Sequence, residues 1–224
     1  MEGIGEVADG DRIADLLADA FAFAAGDVVV VTQKIVSKAE GRMVDLDPDD
    51  LEARRRLVEQ ESVRIVRRRG DLVISETTHG FICANAGVDL SNVARGRAAL
   101  LPTDPDRSAR RIRDGLRART GLSLGIIVSD TFGRPWRMGL TDVAIGCAGV
   151  AAVVDLRGTT DAGGNILQVT EVCVADELAS AAELVMGKAS GIPAAVIRGV
   201  DPSWLREASV AKEIVRPPGE DLFR

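Results

Sequence analysis

Leu124-Gly125-Ile126-Ile127-Val128-Ser129-Asp130-Thr131-Phe132-Gly133-Arg134 starts as an unbroken apolar run and ends among small polar residues. A run without polar alternation is the pattern of a strand buried on both faces. Asp130 then projects from its carboxyl end, where sheets of α/β proteins hold their ligands. A second run, Val28-Val29-Val30-Val31, has the same character, and polar and basic residues follow it from Thr32 to Arg42. The third informative stretch is Ala86-Gly87-Val88-Asp89-Leu90-Ser91-Asn92. Asp89 and Asp130 each stand beside hydroxyl residues and glycine, which is the local chemistry of a hard cation with oxygen ligands and a closely approaching phosphate. Taken singly, each aspartate reads as turn or capping chemistry, and Asp89-Leu90-Ser91-Asn92 fits an Asx turn; it is the pair, each after an apolar run, that points to a metal.

Outward from these stretches, helices and strands alternate without a regular βαβ series. No GxGxxG follows the first strand and no GxxxxGK[ST] occurs, so the dinucleotide and P-loop motifs are absent. The expected fold class is α+β, a mixed α/β architecture in one domain over residues 1–224, with room for two subdomains. Helices are expected over Asp11–Ala25, Asp49–Arg69, Ser108–Thr120 and Asp176–Met186. Strands are expected over 28–31, 72–74, 81–84, 124–128, 166–174 and 194–198, with Lys34–Ala39 continuing as strand or loop and Thr141–Ala152 ambiguous. The tail Arg216-Pro217-Pro218-Gly219-Glu220 reads as an irregular end.

Composition narrows the function. The 224 residues carry a net charge of −6 and only 3% aromatic side chains, which argues against nucleic acid as partner. The arginine clusters at 54–56, 67–69 and 107–119 carry interleaved acids and are read as solvated helix faces. No segment has the length of a membrane span and the first residues lack a signal peptide's pattern, so a cytoplasmic protein is expected. Three widely spaced cysteines and one histidine disfavour both a disulfide framework and a zinc site. His79, in the turn Thr77-Thr78-His79-Gly80, is read as structural.

Thr32-Gln33-Lys34-Ile35-Val36-Ser37-Lys38-Ala39-Glu40-Gly41-Arg42 is either a phosphate-binding segment, with point charges and hydroxyl donors, or a solvated basic loop. Gly187-Lys188-Ala189-Ser190-Gly191 is either a glycine helix cap or a second phosphate or base contact. Asp176-Glu177 reads as helix capping.

Read together, these segments resemble the coenzyme F-420:L-glutamate ligase (γ-glutamyl ligase) family. The resemblance is carried by Gly3-Ile4-Gly5-Glu6, the Thr32–Arg42 and Ala86–Val93 segments, Leu100-Leu101-Pro102-Thr103-Asp104-Pro105-Asp106, Ser129–Arg137 and Ala175–Lys188. It runs from about Gly3 to Phe223, with Gly5 standing where family members commonly have proline. It implies a GTP-dependent enzyme joining L-glutamate to coenzyme F-420-0, with γ-linked extension, two Mg²⁺ or Mn²⁺ per site and help from K⁺. It also implies mixed sheets with flanking helices in an intertwined homodimer, standing alone or joined to a flavin-reductase-like domain. The implied metal ligands are Asp89, Asp130 and Thr131. The implied GTP contacts are Gly3, Ile4, Gly5, Glu6, Gln33, Lys34, Lys38 and Asn92, with Gly187, Lys188, Ala189 and Ser190 closing the nucleotide site. Asp89, Asp130 and Lys38 would carry the chemistry, Arg134 and Arg137 would line the site, and Glu40 or a water would accept the amine proton. Two rival functions fit the same residues: a metal-dependent GTP or ATP phosphotransferase acting on another acidic substrate, and a non-catalytic nucleotide-binding module.

Overall fold

The computed structural model describes residues 1–222; Phe223, the far end of the resemblance, lies outside them. In chain order the strands are β1 (Val28–Thr32), β2 (Met43–Asp45), β3 (Ser62–Arg69), β4 (Leu72–Thr77), β5 (Ile82–Ala84), β6 (Arg97–Ala99), β7 (Gly125–Arg134), β8 (Arg137–Ala148), β9 (Val154–Asp155), β10 (Glu171–Val172) and β11 (Ala194–Ile197). The helices are α1 (Ile13–Ala20), α2 (Gln33–Ala39), α3 (Leu51–Gln60), α4 (Pro105–Thr120), α5 (Val174–Met186) and α6 (Val210–Glu213), with short 3₁₀ turns at Asn85–Gly87, Pro202–Trp204 and Pro218–Glu220. The class is mixed α+β, as the residue pattern indicates.

The central sheet has the order β11-β1-β7-β8. β1 and β7 run parallel, with Val28 opposite Gly125 and Thr32 opposite Ser129, while β11 and β8 flank them antiparallel. Both faces of this sheet are covered, which is why its inner strands read as continuous β-branched runs. Val29, Val31, Ile126 and Val128 pack toward Leu17 of α1, Val36 of α2 and Leu116 of α4. Val28, Val30 and Ile127 pack toward Ala179 and Met186 of α5 and Val210 of α6. A third apolar cluster, Leu46, Val58, Val73, Ala86, Val88, Ala98 and Leu100, lies under α3 and the smaller sheets β2-β6 and β3-β4-β5.

Several local expectations are corrected. α1 stops at Ala20, where extended backbone at Phe21 takes over from the expected helix to Ala25. Lys34–Ala39 belongs to a helix, α2, entered directly from β1. The expected long helix over Asp49–Arg69 divides at Glu61 into α3 and β3. There Val63, Ile65 and Val66 favour an extended backbone, and Ser62–Arg69 finds a partner in β4. The arginines at 67–69 therefore stand on a strand, not on a helix face. Thr141–Ala152 resolves mostly into β8, hydrogen-bonded along β7, and β7 itself runs on to Arg134. Between Ile166 and Val174 only Glu171–Val172 forms a strand. Upstream, the Asp161 carboxylate accepts from the backbone N–H groups of Gly163 and Asn165 and folds that segment into a turn. The tail is irregular apart from its 3₁₀ turn at Pro218–Glu220.

Candidate functional site

The end of the parallel pairing between β1 and β7 sets the site; β7 itself continues to Arg134, so Asp130 lies within the strand and not at its carboxyl end as the sequence suggests. Beyond Thr32 of β1 the chain turns into α2, and beyond the facing Ser129 of β7 come Asp130 and Thr131. Lys34 and Lys38 are one turn apart on α2, so a helix aligns on one face what the sequence left as a basic segment. The Lys34 ammonium pairs with the Asp89 carboxylate and donates to Ser91 Oγ at 3.2 Å. Lys38 Nζ pairs with Glu6 Oε1 at 2.5 Å. Glu6, Asp9, Lys38 and Arg97 border a groove of 320 Å³ along this side of α2.

Asp89 is presented by a constrained loop. Asn85, Ala86 and Gly87 all have positive φ (50°, 53° and 72°), and a Cβ on Gly87 would come within 2.6 Å of Leu101 Cγ. Asp89 then bridges to Ala99 through both backbone bonds, N–H to O at 2.9 Å and O to N–H at 2.8 Å. Its Oδ1 accepts from the Ser91 N–H at 2.7 Å, the Asx geometry read from the sequence. Non-glycine residues at positive φ cost free energy and persist where the surroundings over-determine them.

Asp89 and Asp130 lie within electrostatic reach of each other. Burial pushes the Asp130 carboxyl up to about 7; the Thr131 N–H opposes this, the charges of Asp89 and Asp142 add to it, and Lys34 counters them. For Asp89, burial also works against ionisation, but the Lys34 ammonium and Ser91 hold its carboxyl below the ordinary range. A cation beside these two groups would hold both ionised. Among the described residues no cluster of three or more His, Cys, Asp or Glu side chains could hold a metal by itself. Two carboxylates with hydroxyls nearby instead fit a magnesium-type ion, which takes one or two carboxylates and completes its shell with water and substrate phosphates.

Thr131 is tied into a second cluster that the sequence reading missed. Its hydroxyl donates to Asp142 Oδ1 at 2.7 Å, and Ser129 Oγ donates to Asp142 Oδ2 at 3.2 Å. Asp142 is buried, and Lys188 Nζ stands 2.6 Å from its Oδ1. Lys188 is delivered by the end of α5, where Gly187 turns the chain at φ 63°. Its carbonyl accepts from Asn92 Nδ2 at 3.1 Å, joining the Gly187–Ser190 segment to the Asp89 loop. The signal for Asp142 was its place opposite Thr131 in the β7–β8 register, which becomes legible only once Thr141–Ala152 is known to be a strand.

The remaining sequence candidates divide. Gln33 is buried, its Oε1 accepting from Ser37 Oγ at 2.8 Å while its Nε2 lacks a partner. That buried donor at the start of α2 is the kind of orphan that a ligand satisfies. Gly3, Ile4 and Gly5 lie outside regular structure just before Glu6, and Ile4 packs partly against the main core. Ala189 and Ser190 are exposed beyond Lys188. Arg134 and Arg137 are placed at the exposed end of the β7–β8 hairpin, beyond Thr131 on the same strand, and do not line this cluster. Glu40 accepts a hydrogen bond from Ser108 Oγ at 2.7 Å. His79 fits its structural reading, with Nε2 2.9 Å from the Pro102 carbonyl and its ring stacked on Phe81. Cys83, Cys147 and Cys173 are free thiols, each pushed up to about 12 by burial.

The family model described as F420-0:Gamma-glutamyl ligase matches residues 3–199. A protein named coenzyme F420:L-glutamate ligase from Methanothermobacter thermautotrophicus is 44% identical, covering 100% of this chain and 97% of its own length. Proteins of the same name from Methanopyrus kandleri and Methanocaldococcus jannaschii are 43% and 39% identical, covering 98% and 89% of this chain and 94% and 85% of their own.

Proposed function

The chain belongs to the F420-0:gamma-glutamyl ligase family and is a ligase of coenzyme F420 biosynthesis, and on that premise we propose that it uses GTP to join L-glutamate to coenzyme F-420-0 through an acyl phosphate. The observation that carries this reading is the meeting of Lys34, Asp89 and Asp130 just past the point where the parallel pairing of β1 and β7 ends.

Amide formation from a carboxylate needs an activated carbonyl. The γ-phosphoryl group of GTP passes to the substrate carboxylate, releasing GDP. The glutamate amine then attacks the acyl carbonyl, the C–O bond to phosphate breaks, inorganic phosphate leaves and the amine gives up a proton. Phosphoryl transfer of this kind is mainly positioning and charge neutralisation. Asp89 and Asp130 would hold Mg²⁺ or Mn²⁺, which supplies charge neutralisation on the phosphates. Lys34 keeps Asp89 ionised, and Lys38, one turn further along α2, would meet a phosphate once Glu6 yields it. The unpartnered Gln33 Nε2 offers a donor at the same helix start. Asn92, bonded to the Lys188 carbonyl, would close the opposite wall.

The protein would act as a homodimer. Trp136, Met138 and Leu140 are 82%, 95% and 70% exposed along the β7–β8 hairpin, and large apolar side chains grouped on one projecting element mark an association surface.

The test is mass spectrometry of coenzyme F-420-0 incubated with the protein, GTP, L-glutamate and Mn²⁺, beside Asp130→Asn. Glutamyl mass increments that require GTP and vanish in the variant support the reading. GTP turnover without any increment overturns it in favour of a phosphotransferase.

A further inference from the structure

The ammonium of Lys188 is surrounded by oxygen. Nζ lies 2.5 Å from Thr131 Oγ1, 2.6 Å from Asp142 Oδ1 and 2.8 Å from Glu183 Oε1. These partners come from β7, β8 and the last turn of α5, and they use all three donors that a lysine ammonium has. Asp142 is buried, with its side chain 3% exposed, and a buried carboxylate without a compensating cation is strongly destabilising. The lysine itself is held from both sides: Gly187 sets its approach by a positive φ, and Asn92 grips its carbonyl. The C-terminal end of a helix also favours positive charge at this point. Ser180, one α5 turn from Glu183, fixes the rim, donating to the Asp142 carbonyl at 2.7 Å and facing Thr141 Oγ1 at 2.9 Å.

We propose that the Lys188 ammonium is a built-in cation of this site: it fills the oxygen cage of Thr131, Asp142 and Glu183, so each chain binds one divalent ion, at Asp89 and Asp130, and a neutral residue at 188 opens the cage to a second. The inference rests on the reading of Asp89 and Asp130 as the divalent site, and it departs from the two divalent ions per site that the sequence resemblance implies. Its physical basis is charge. Two carboxylates and a hydroxyl facing one ammonium leave the cage with a net charge of about −1, whereas the same oxygens without the ammonium carry about −2 and suit a divalent ion of the Mg²⁺ or Mn²⁺ type. Lys188 would then lie beside the transferring phosphate as a fixed positive charge that no chelator can remove.

The test counts Mn²⁺ bound per chain by equilibrium dialysis against Mn²⁺ and saturating GDP, whose phosphates complete the ion's shell, for the wild type and for Lys188→Met, Lys188→Gln and Lys188→Arg. Circular dichroism confirms that each is folded. The expected result is one ion per chain in the wild type and in Lys188→Arg, rising twofold to two in both neutral variants, with Lys188→Met/Asp142→Asn returning to one. Two ions in the wild type, or one in both folded neutral variants, overturns the inference while leaving the Asp89/Asp130 site intact. No bound Mn²⁺ in any protein overturns the divalent site itself, and the inference with it.

Discussion

At the scale of single residues, the site is an arrangement of charges that need each other. Asp89 is kept ionised by Lys34, whereas Asp130, more deeply enclosed and facing two other carboxylates, is pushed up to about 7. Asp89→Asn and Asp130→Asn should each lower glutamyl transfer by about 100-fold or more, the usual scale for removing a preorganised electrostatic partner of the transition state. Their far-ultraviolet circular dichroism should be unchanged. Lys38→Met should act differently. Losing one charge-assisted bond to a phosphate corresponds to about 1.5–3 kcal/mol, so the KM for GTP should rise about tenfold or more; steady-state kinetics at saturating glutamate would read it. An unchanged KM would separate Lys38 from the nucleotide.

At the scale of elements, close approach and buried pairing fix where the strands end. Gly146 of β8 passes against the first turn of α4, and a Cβ there would lie 2.3 Å from the Pro105 carbonyl carbon. Backbone cannot yield as a flexible side chain does, so Gly146→Ala should destabilise by about 1–3 kcal/mol, readable by urea unfolding. The same turn of α4 holds Asp106, which accepts from the backbone N–H groups of Cys147, Val210 and Ala211 and from Ser209 Oγ. One carboxylate thereby ties α4, β8 and α6 together. At the other end of the sheet, Asp27 precedes β1 and takes both arms of the Arg198 guanidinium at 2.7 Å. That pairing holds the Asp27 carboxyl below its ordinary value. The stability it contributes is present above the unfolded carboxyl pKa of about 4 and is lost as pH falls through the lower folded value. Arg198→Met should therefore be less stable than the wild type near neutrality, with the gap closing as pH is lowered toward about 2. Denaturant melts across that range measure it, and a gap independent of pH would refute the assignment.

At the scale of the whole molecule, a sheet with both faces covered sends one long hairpin past the core. The outer third of β8, from Arg137 to Leu140, is exposed although it carries Met138 and Leu140. Under the proposed dimer, Met138→Asp/Leu140→Asp should reduce the solution mass by half in light scattering while leaving the monomer folded. A wild type of monomeric mass would overturn the dimer outright. No helix among the described residues is long and apolar enough to cross a membrane.

Much of this was legible in the chain itself, for reasons that lie in local chemistry. Val28–Val31 and Leu124–Val128 announce two-sided burial because a strand covered on both faces has no polar alternation to show. Asp89 and Asp130 stand out because carboxylates beside hydroxyls after apolar runs are locally unusual, and the ordered set of motifs was enough to identify the family. What only the tertiary structure decided are the features that depend on pairing. Lys34–Ala39 is helical because β1 delivers it onto the sheet face with Ile35 and Val36 turned inward, and that burial outweighs weak β-branched preference. Ser62–Arg69 is a strand because β4 lies beside it. Asp142 enters the site, and Lys188 finds its three oxygens, because β8 folds back along β7 in one register and α5 ends above it. Those partners are separated by 46 and 57 residues, and no local pattern encodes a contact between side chains that only the folded sheet brings together.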